Sequence, residues 1–123
     1  MNAGEAQITE GLIHVKVLGG LQVRRGETVL GARDLGGCKP RQVLEILVLH
    51  RGTPVSKDRL IDLIWGDAAP PEALPTLESY ISILRRRIQP GASRTGALRT
   101  VTAGYVMDRE LLDLDLDRFN HLL

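Results

Sequence analysis

Three consecutive arginines, Arg85, Arg86 and Arg87, end the striped apolar stretch PTLESYISILRRRIQP at residues 75–90. Guanidinium groups bind phosphate oxygens through paired hydrogen bonds, so a helix that carries them can hold a polyanion. Arginines are also favourable at the C-terminal end of any helix, where the helix dipole attracts positive charge. The residues alone leave both interpretations open, an anion-binding helix and an ordinary amphipathic one.

A helical projection of residues 72–88 sorts the side chains by face. At about 100° per residue, five apolar residues fall within about 80° of one another and predict a buried stripe. They are Leu74, Leu77, Ile81, Leu84 and Ile88. The opposite face carries Glu72, Pro75, Thr76, Ser79, Ser82, Ile83 and Arg86, and the stripe is flanked by Arg85 and Arg87.

The outer face of this predicted helix consists mainly of short, hydroxylated side chains and has a single acid. Short side chains would let the helix approach a major groove closely, while the flanking arginines reach phosphates on either side. Ile83 is predicted to be exposed on this face, where it could contact a thymine methyl group. The pattern favours nucleic-acid binding without settling it.

Length, composition and cysteine usage indicate one ordinary domain of 123 residues, 43% of them hydrophobic. That size suffices for one buried core. Cys38 is the only cysteine, so an internal disulfide and a Cys-based zinc site are excluded, and His14, His50 and His121 are too far apart for a local metal motif. No nucleophile–base arrangement or glycine-rich phosphate loop is recognisable. We therefore expect no enzyme, no catalytic residue, no metal and no cofactor.

No segment of the chain indicates a membrane protein. The longest apolar run, VLEILVL at residues 43–49, contains Glu45 and is too short to span a bilayer. Residues 1–11, MNAGEAQITEG, lack the basic and apolar regions of a signal peptide. We expect a cytoplasmic protein with a flexible N-terminal tail over these residues and no membrane contact.

Charge is distributed unevenly, although the net charge is only +1. Residues 79–107 contain five arginines and no carboxylate, whereas residues 108–117 contain five acids and one arginine. One stretch could attract a polyanion that the next would repel. Asp113, Asp115 and Asp117 alternate like metal ligands, but the glycine and terminal glutamate of an EF-hand are missing, so a solvated strand edge is the favoured interpretation.

The pattern along the chain predicts a small antiparallel sheet and then three helices. IHVKVLGGLQV alternates in polarity around a turn at Gly19 and Gly20, and TVL follows as a third strand. Pro40 is expected at the first position of the first helix, where its missing N–H costs nothing. Ser56 is a good N-cap for the second helix, and the third helix runs over about residues 72–89.

The remaining segments complete a recognisable plan. LRTV and YVM flank TAG as a terminal β-hairpin, and LLDLDLDRFNHLL closes the chain as a strand followed by the start of a helix. A sheet, three helices of which two are joined by a short turn, and a hairpin make up a winged helix-turn-helix of the α+β class.

The amino-acid sequences of these elements resemble those of a known family. LIDLIWG, TLESYISILRRRI and TVTAGYVM are together similar to the OmpR/PhoB-type winged-helix DNA-binding domain. KPRQVLEILVLH, VSKDRLIDLIWG and DLDRFNHLL resemble, more narrowly, the Streptomyces antibiotic regulatory protein (SARP) family. The resemblance covers about residues 12–123. It implies a bacterial transcription factor, with its third helix in the major groove and its wing, residues 98–107, on the adjacent backbone or minor groove.

The resemblance, together with the helical projection, gives a set of expected DNA-binding residues. They are Lys57, Trp65, Thr76, Ser79, Tyr80, Ser82, Ile83, Arg85, Arg86, Arg87, Arg99, Thr100, Thr102 and Tyr105. Trp65 and Tyr105 could instead pack in the core, and Lys57 could be a solvated surface lysine. Two features depart from the family pattern. Ile83 stands where relatives usually carry an arginine that can read a base edge. The wing tip VTAG also lacks the basic residue that some relatives insert into the minor groove, a role that Arg94 or Arg99 could take instead.

The resemblance also implies an organisation and partners. We expect a tail over residues 1–11, the winged helix over 12–110 and, over 111–123, the start of a linker to a bacterial transcriptional activation domain. The expected partners are double-stranded DNA with direct repeats and RNA polymerase, the latter through residues 66–71. The protein would be a monomer in solution that pairs on DNA. A winged helix that serves only as a protein-interaction module is the alternative.

Overall fold

The computed structural model describes residues 12–91 and 96–117, where the elements follow the expected order of sheet, three helices and hairpin. The strands are β1 (Ile13–Lys16), β2 (Gln22–Arg25), β3 (Thr28–Leu30), β4 (Leu98–Val101), β5 (Gly104–Met107) and β6 (Leu112–Leu114). The helices are α1 (Cys38–Leu49), α2 (Lys57–Trp65) and α3 (Ala73–Ile88). The expected tail over residues 1–11 and the helix start within RFNHLL, residues 118–123, lie outside the described residues.

The first three strands form the predicted antiparallel sheet. Val15 lies opposite Val23, and both are buried together with Ile13. Gly19 and Gly20 have positive φ angles, which suit the turn between β1 and β2. The alternation of the sequence therefore identifies the face of the sheet that packs into the core.

The last described strand extends this sheet from its other edge. β6 pairs with β1 in parallel, with Ile13 opposite Leu112 and Val15 opposite Leu114, so the strand order is β3-β2-β1-β6. Both leucines are buried, which accounts for the alternation of leucine and aspartate in this segment. β6 begins just after the domain boundary expected at residue 110, and it pairs with β1 in the four-stranded sheet.

Of the two sequence signals that predicted where helices begin, the Ser56 cap is confirmed and the Pro40 position is shifted. Ser56 caps α2 as predicted, because its Oγ accepts a hydrogen bond from the Arg59 N–H at 3.1 Å. Pro40 is the third residue of α1 and not the first. Its missing N–H is still harmless, because the first four N–H groups of a helix have no partner within it. None of the helices in the described ranges combines the length and the apolarity needed to cross a membrane.

One face of α3 packs against α1 and α2. Four residues of the predicted stripe are at most 1% exposed: Leu77, Ile81, Leu84 and Ile88. The prediction that Leu74 is buried is wrong, since 43% of this residue is exposed. Ala73, four residues ahead of Leu77, takes the buried place in the first turn of the helix.

The predicted hairpin, β4 and β5, attaches to the start of α2. Val55, just before α2, pairs with Tyr105 through two main-chain hydrogen bonds of 2.8 and 3.0 Å. Gly104 lies directly against this segment: a Cβ there would be 2.1 Å from the Val55 carbonyl oxygen, and its φ is +139°. Both the close approach and the backbone conformation therefore require glycine at this position.

We predict that Gly104→Ala lowers the free energy of unfolding by about 2–4 kcal/mol, because the new methyl group collides with the Val55 main chain in a strained conformation. Urea unfolding followed by circular dichroism measures the change. The control is Gly26→Ala, which has a φ of +58° and open space around it. It should cost about 1 kcal/mol. Equal losses in the two variants would contradict the prediction.

Candidate nucleic-acid interface

α3 presents a surface of small polar side chains and arginines. Ser79, Ser82, Arg86 and Arg87 are exposed, and Thr76 is half-buried. No carboxylate occurs between residues 79 and 107. The helix therefore offers a basic surface with little steric bulk, which is the type of surface that fits a nucleic-acid groove.

Trp65 and Tyr80 join α2 to α3. Their rings are stacked, with centroids 6.0 Å apart and planes inclined by 21°, and both side chains remain partly exposed. Lys39 of α1 places its Nζ 5.7 Å from the Trp65 ring centroid, so all three helices contribute to this cluster. Lys39 was not predicted, because a lysine in the first turn of a helix gives no sequence signal and only the fold brings it to Trp65.

Lys57 lies where α2, α3 and the wing meet. Its Nζ is 3.7 Å from Oε2 of Glu78 and 5.4 Å from the centroid of the Tyr105 ring. Because both charged groups are partly exposed, the pair adds little to stability. Its effect is electrostatic, since the ammonium offsets the charge of the acid that directly precedes Ser79.

Arg85 differs from the two arginines that follow it, because its guanidinium is bonded to the wing. Nη2 donates to Oγ1 of Thr100, and Nε donates to the Leu98 carbonyl oxygen at 3.4 Å. Burial lowers the pKa of the Arg85 guanidinium, an effect that the nearby Tyr105 phenol opposes. The group remains protonated at neutral pH, as arginine does in proteins generally.

Gln89 is an important residue that the sequence did not reveal. It is 6% exposed, and its amide bonds both main-chain groups of Leu98: Nε2 donates to the carbonyl oxygen at 2.9 Å, and Oε1 accepts from the N–H at 2.8 Å. Gly96 leaves room for this amide, since a Cβ there would lie 2.6 Å from its carbon. A glutamine at the end of a helix is usually a surface residue, so no sequence signal marks this one.

The wing exposes its tip and buries its second strand. The exposed residues at the tip include Thr100, Val101 and Thr102. Tyr105 is only 3% exposed, which favours the packing role that the sequence left open. Arg99 is half-buried, with its Nη2 3.3 Å from Oδ2 of Asp108. Arg94, the other expected cation of the wing, lies outside the described residues.

The prediction that Ile83 is exposed is wrong. The residue is half-buried, and its Cγ2 lies 2.7 Å from the point where Gly36 would carry a Cβ. Gly36 follows the short 3-10 helix Ala32–Leu35, so the loop before α1 covers this side of α3. The projection of an isolated helix cannot show a loop that arrives from elsewhere in the chain.

The aspartates of the C-terminal segment are bonded to the rest of the domain. The contacts join Asp113 Oδ2 to His14 Nδ1 at 2.6 Å, Asp115 to the N–H groups of Val17 and Leu18 at 2.9 and 3.1 Å, and Asp117 to the Arg51 guanidinium. β6 is an edge strand, as the sequence interpretation requires, but the acids of this segment, Asp113 in β6 and Asp115 and Asp117 after it, are not merely solvated. Across the described residues, no three His, Cys, Asp or Glu side chains are placed to bind a metal ion.

The fold and this surface define a winged-helix regulatory domain, and comparison with known proteins agrees. Residues 37–107 match the family model described as transcriptional regulatory protein, C terminal. The chain therefore belongs to this OmpR/PhoB-type family of transcriptional regulatory domains. The members of this family are transcriptional regulators and not enzymes, as the sequence analysis expects of this domain.

Relatives of the chain are regulators of the SARP family, as the sequence resemblance predicted. The chain is 41% identical over 90 residues to the regulatory protein DnrI of Streptomyces peucetius, which covers 68% of this chain and 33% of DnrI. It is 35% identical over 111 residues to the transcriptional regulatory protein MoaR1 of Mycobacterium tuberculosis, covering 87% of this chain and 35% of MoaR1. The chain thus spans about a third of the length of these relatives.

Solved structures confirm the fold class. EmbR of Mycobacterium tuberculosis, in complex with a low affinity phosphopeptide, is similar with a TM-score of 0.71 and 31% identity, over 87% of this chain and 28% of EmbR. The C-terminal domain of the nisin resistance regulator NsrR shares the fold with a TM-score of 0.52 and 23% identity, over 75% of this chain and 84% of that one.

We predict that Gln89→Met lowers the free energy of unfolding by about 2–4 kcal/mol, because both buried main-chain groups of Leu98 lose this partner. The midpoint of urea unfolding reports the loss. Arg87→Met is the control on the same helix, because its side chain is exposed. It should change stability by less than about 0.5 kcal/mol. If both variants unfold at the same urea concentration, the amide contact does not stabilise the wing.

Proposed function

We propose that this chain is a bacterial transcriptional regulator that binds double-stranded DNA sequence-specifically. α3 would lie in the major groove, and the wing, residues 98–107, would contact the adjacent backbone or minor groove. The observation that carries the proposal is the exposed surface of α3. Ser79, Ser82 and Arg86 follow one another there on one face, in a stretch of the sequence without carboxylates.

Phosphate contacts in this proposal come from cations around that surface. Arg86 and Arg87 are exposed on α3, Lys57 stands between α3 and the wing, and Lys39 lies beside Trp65. Cations of this kind fix the register of a protein on the duplex and supply most of its affinity, but they carry little sequence information. On the wing, the exposed hydroxyls of Thr100 and Thr102 would donate hydrogen bonds to phosphates, and the Arg99 side chain would supply a further cation.

Base reading in this proposal falls to Thr76, Ser79 and Ser82. Their hydroxyl groups can donate or accept hydrogen bonds, and they are short enough to allow a close approach of the helix to the base edges. Ile83 offers a thymine methyl group only the part of its side chain that the Gly36 loop leaves uncovered.

The proposal extends to the partners expected from the family resemblance. Residues 66–71, between α2 and α3, are mostly exposed and adjoin two exposed leucines, Leu63 and Leu74, which suits a contact with RNA polymerase in an activator. We further propose a cytoplasmic protein that is monomeric in solution and pairs on direct repeats. Residues beyond β6 would lead towards an activation domain.

We predict that Arg86→Met and Arg87→Met each weaken DNA binding and reduce its salt dependence. Each phosphate contact contributes about 0.9 log unit of affinity per tenfold change in salt, so roughly five to eight contacts give a slope of about five to seven. Each variant should lower that slope by about one. Selection from a random DNA pool supplies the operator, and fluorescence anisotropy at several salt concentrations gives the slopes.

Arg24→Met is the matched control, because it removes the same charge from an exposed position on β2, in the four-stranded sheet. It should leave the slope unchanged. If the unaltered chain enriches no sequence and shows no salt-dependent binding to DNA, the proposed DNA binding is refuted and the protein-interaction module is favoured.

A further inference from the structure

α3 holds the first strand of the wing through two side chains that lie one helical turn apart. Gln89 bonds both main-chain groups of Leu98, and Arg85 bonds the same carbonyl oxygen and the hydroxyl of Thr100. Because Arg85 and Gln89 are four residues apart, they lie on the same side of α3. Together they attach β4 to the helix from its first residue to its third.

This arrangement separates Arg85 from the other two arginines of the triplet. Arg85 is half-buried, whereas Arg86 and Arg87 are exposed. Two of its three guanidinium nitrogens, Nε and Nη2, are occupied by acceptors on the wing. To bind a phosphate with that edge of the guanidinium, Arg85 would have to release Thr100 and the Leu98 carbonyl group.

We propose that Arg85 is a positioning residue, which sets the orientation of the wing relative to α3 through Leu98 and Thr100 and leaves phosphate binding to Arg86 and Arg87. The contact belongs to the free chain, and only its consequence for DNA binding rests on the proposed function. A helix in the major groove and a wing on the neighbouring backbone can bind at the same time without a cost in binding free energy only if their relative orientation is already correct before binding.

The chemistry of the contact requires arginine specifically. A guanidinium is planar and rigid, so Nε and Nη2 on one edge can reach two acceptors on the same strand. A lysine in its place would keep the positive charge but could not present two donors in this fixed geometry. The two possible roles of Arg85 therefore respond differently to Arg85→Lys, which preserves a phosphate contact but not the attachment of the wing.

The first test measures hydrogen–deuterium exchange by mass spectrometry on the whole chain without DNA. In Arg85→Met and in Arg85→Lys, peptides covering β4 and β5 should exchange about tenfold faster, since a charge-assisted hydrogen bond is lost. Thr100→Val, at an exposed position, should accelerate the same peptides several-fold. Arg86→Met is the matched control and should leave them unchanged, and peptides covering β1 and β2 should be unchanged in every variant.

The second test measures the affinity of the same variants for the selected operator. Positioning predicts that Arg85→Lys loses about as much affinity as Arg85→Met, roughly tenfold, whereas Arg24→Lys, at an exposed position of β2, leaves the affinity unchanged. Full affinity in Arg85→Lys, with wing exchange as slow as in the unaltered chain, would overturn the proposal and make Arg85 a phosphate ligand.

The outcomes also distinguish the two proposals from each other. If the unaltered chain binds no DNA, the proposed function fails, and the exchange of β4 and β5 still decides whether Arg85 holds the wing. If Arg85→Met unfolds globally, its β1 and β2 peptides will exchange fast as well, and Thr100→Val then decides. Unchanged wing exchange in Thr100→Val under those conditions would refute the positioning role.

Discussion

The candidate interface depends on the contacts of the Leu98 main chain with the side chains of Arg85 and Gln89, which form the joint between α3 and the wing. Gln89 satisfies both the N–H and the carbonyl group of Leu98, and Arg85 adds a second donor to that carbonyl. Buried main-chain groups are costly without partners, so this joint fixes β4 on the end of α3. The main-chain pair of Val55 and Tyr105 fixes β5 at the start of α2. The wing is thus held at the end of α3 and at the start of α2, the two helices of the helix-turn-helix.

The same joint divides the arginine triplet by function. Consecutive residues on a helix point about 100° apart, so three adjacent arginines cannot form one patch. Arg85 points to the wing, where burial lowers its pKa and hydrogen bonds compensate the desolvation of its charge. Arg86 and Arg87 keep their exposure. A basic cluster in the sequence therefore corresponds to one structural cation and two that are available to a ligand.

Local signals predicted most of the fold, because turns, caps and apolar periodicity act over a few residues. The Ser56 cap, the hairpin of residues 98–107 and the buried stripe of α3 lie close to their expected positions. Contacts between distant segments were not predictable in this way. β6 pairs with β1 across almost the whole chain, and the Gly36 loop covers Ile83. Such contacts depend on how finished elements pack, which leaves no periodic pattern in a single sequence.

The fold also separates the basic and the acidic stretches of the sequence in space. As a sequence, the basic stretch of residues 79–107 is followed by acids that would repel a polyanion. In the fold, β6 carries Asp113 into the four-stranded sheet beside His14, whereas the arginines of the triplet belong to α3. Acids that accept hydrogen bonds within the domain have their charge partly offset by those donors. The net charge of +1 is therefore a poor measure of the electrostatic field at α3, because it sums charges that the topology assigns to different elements.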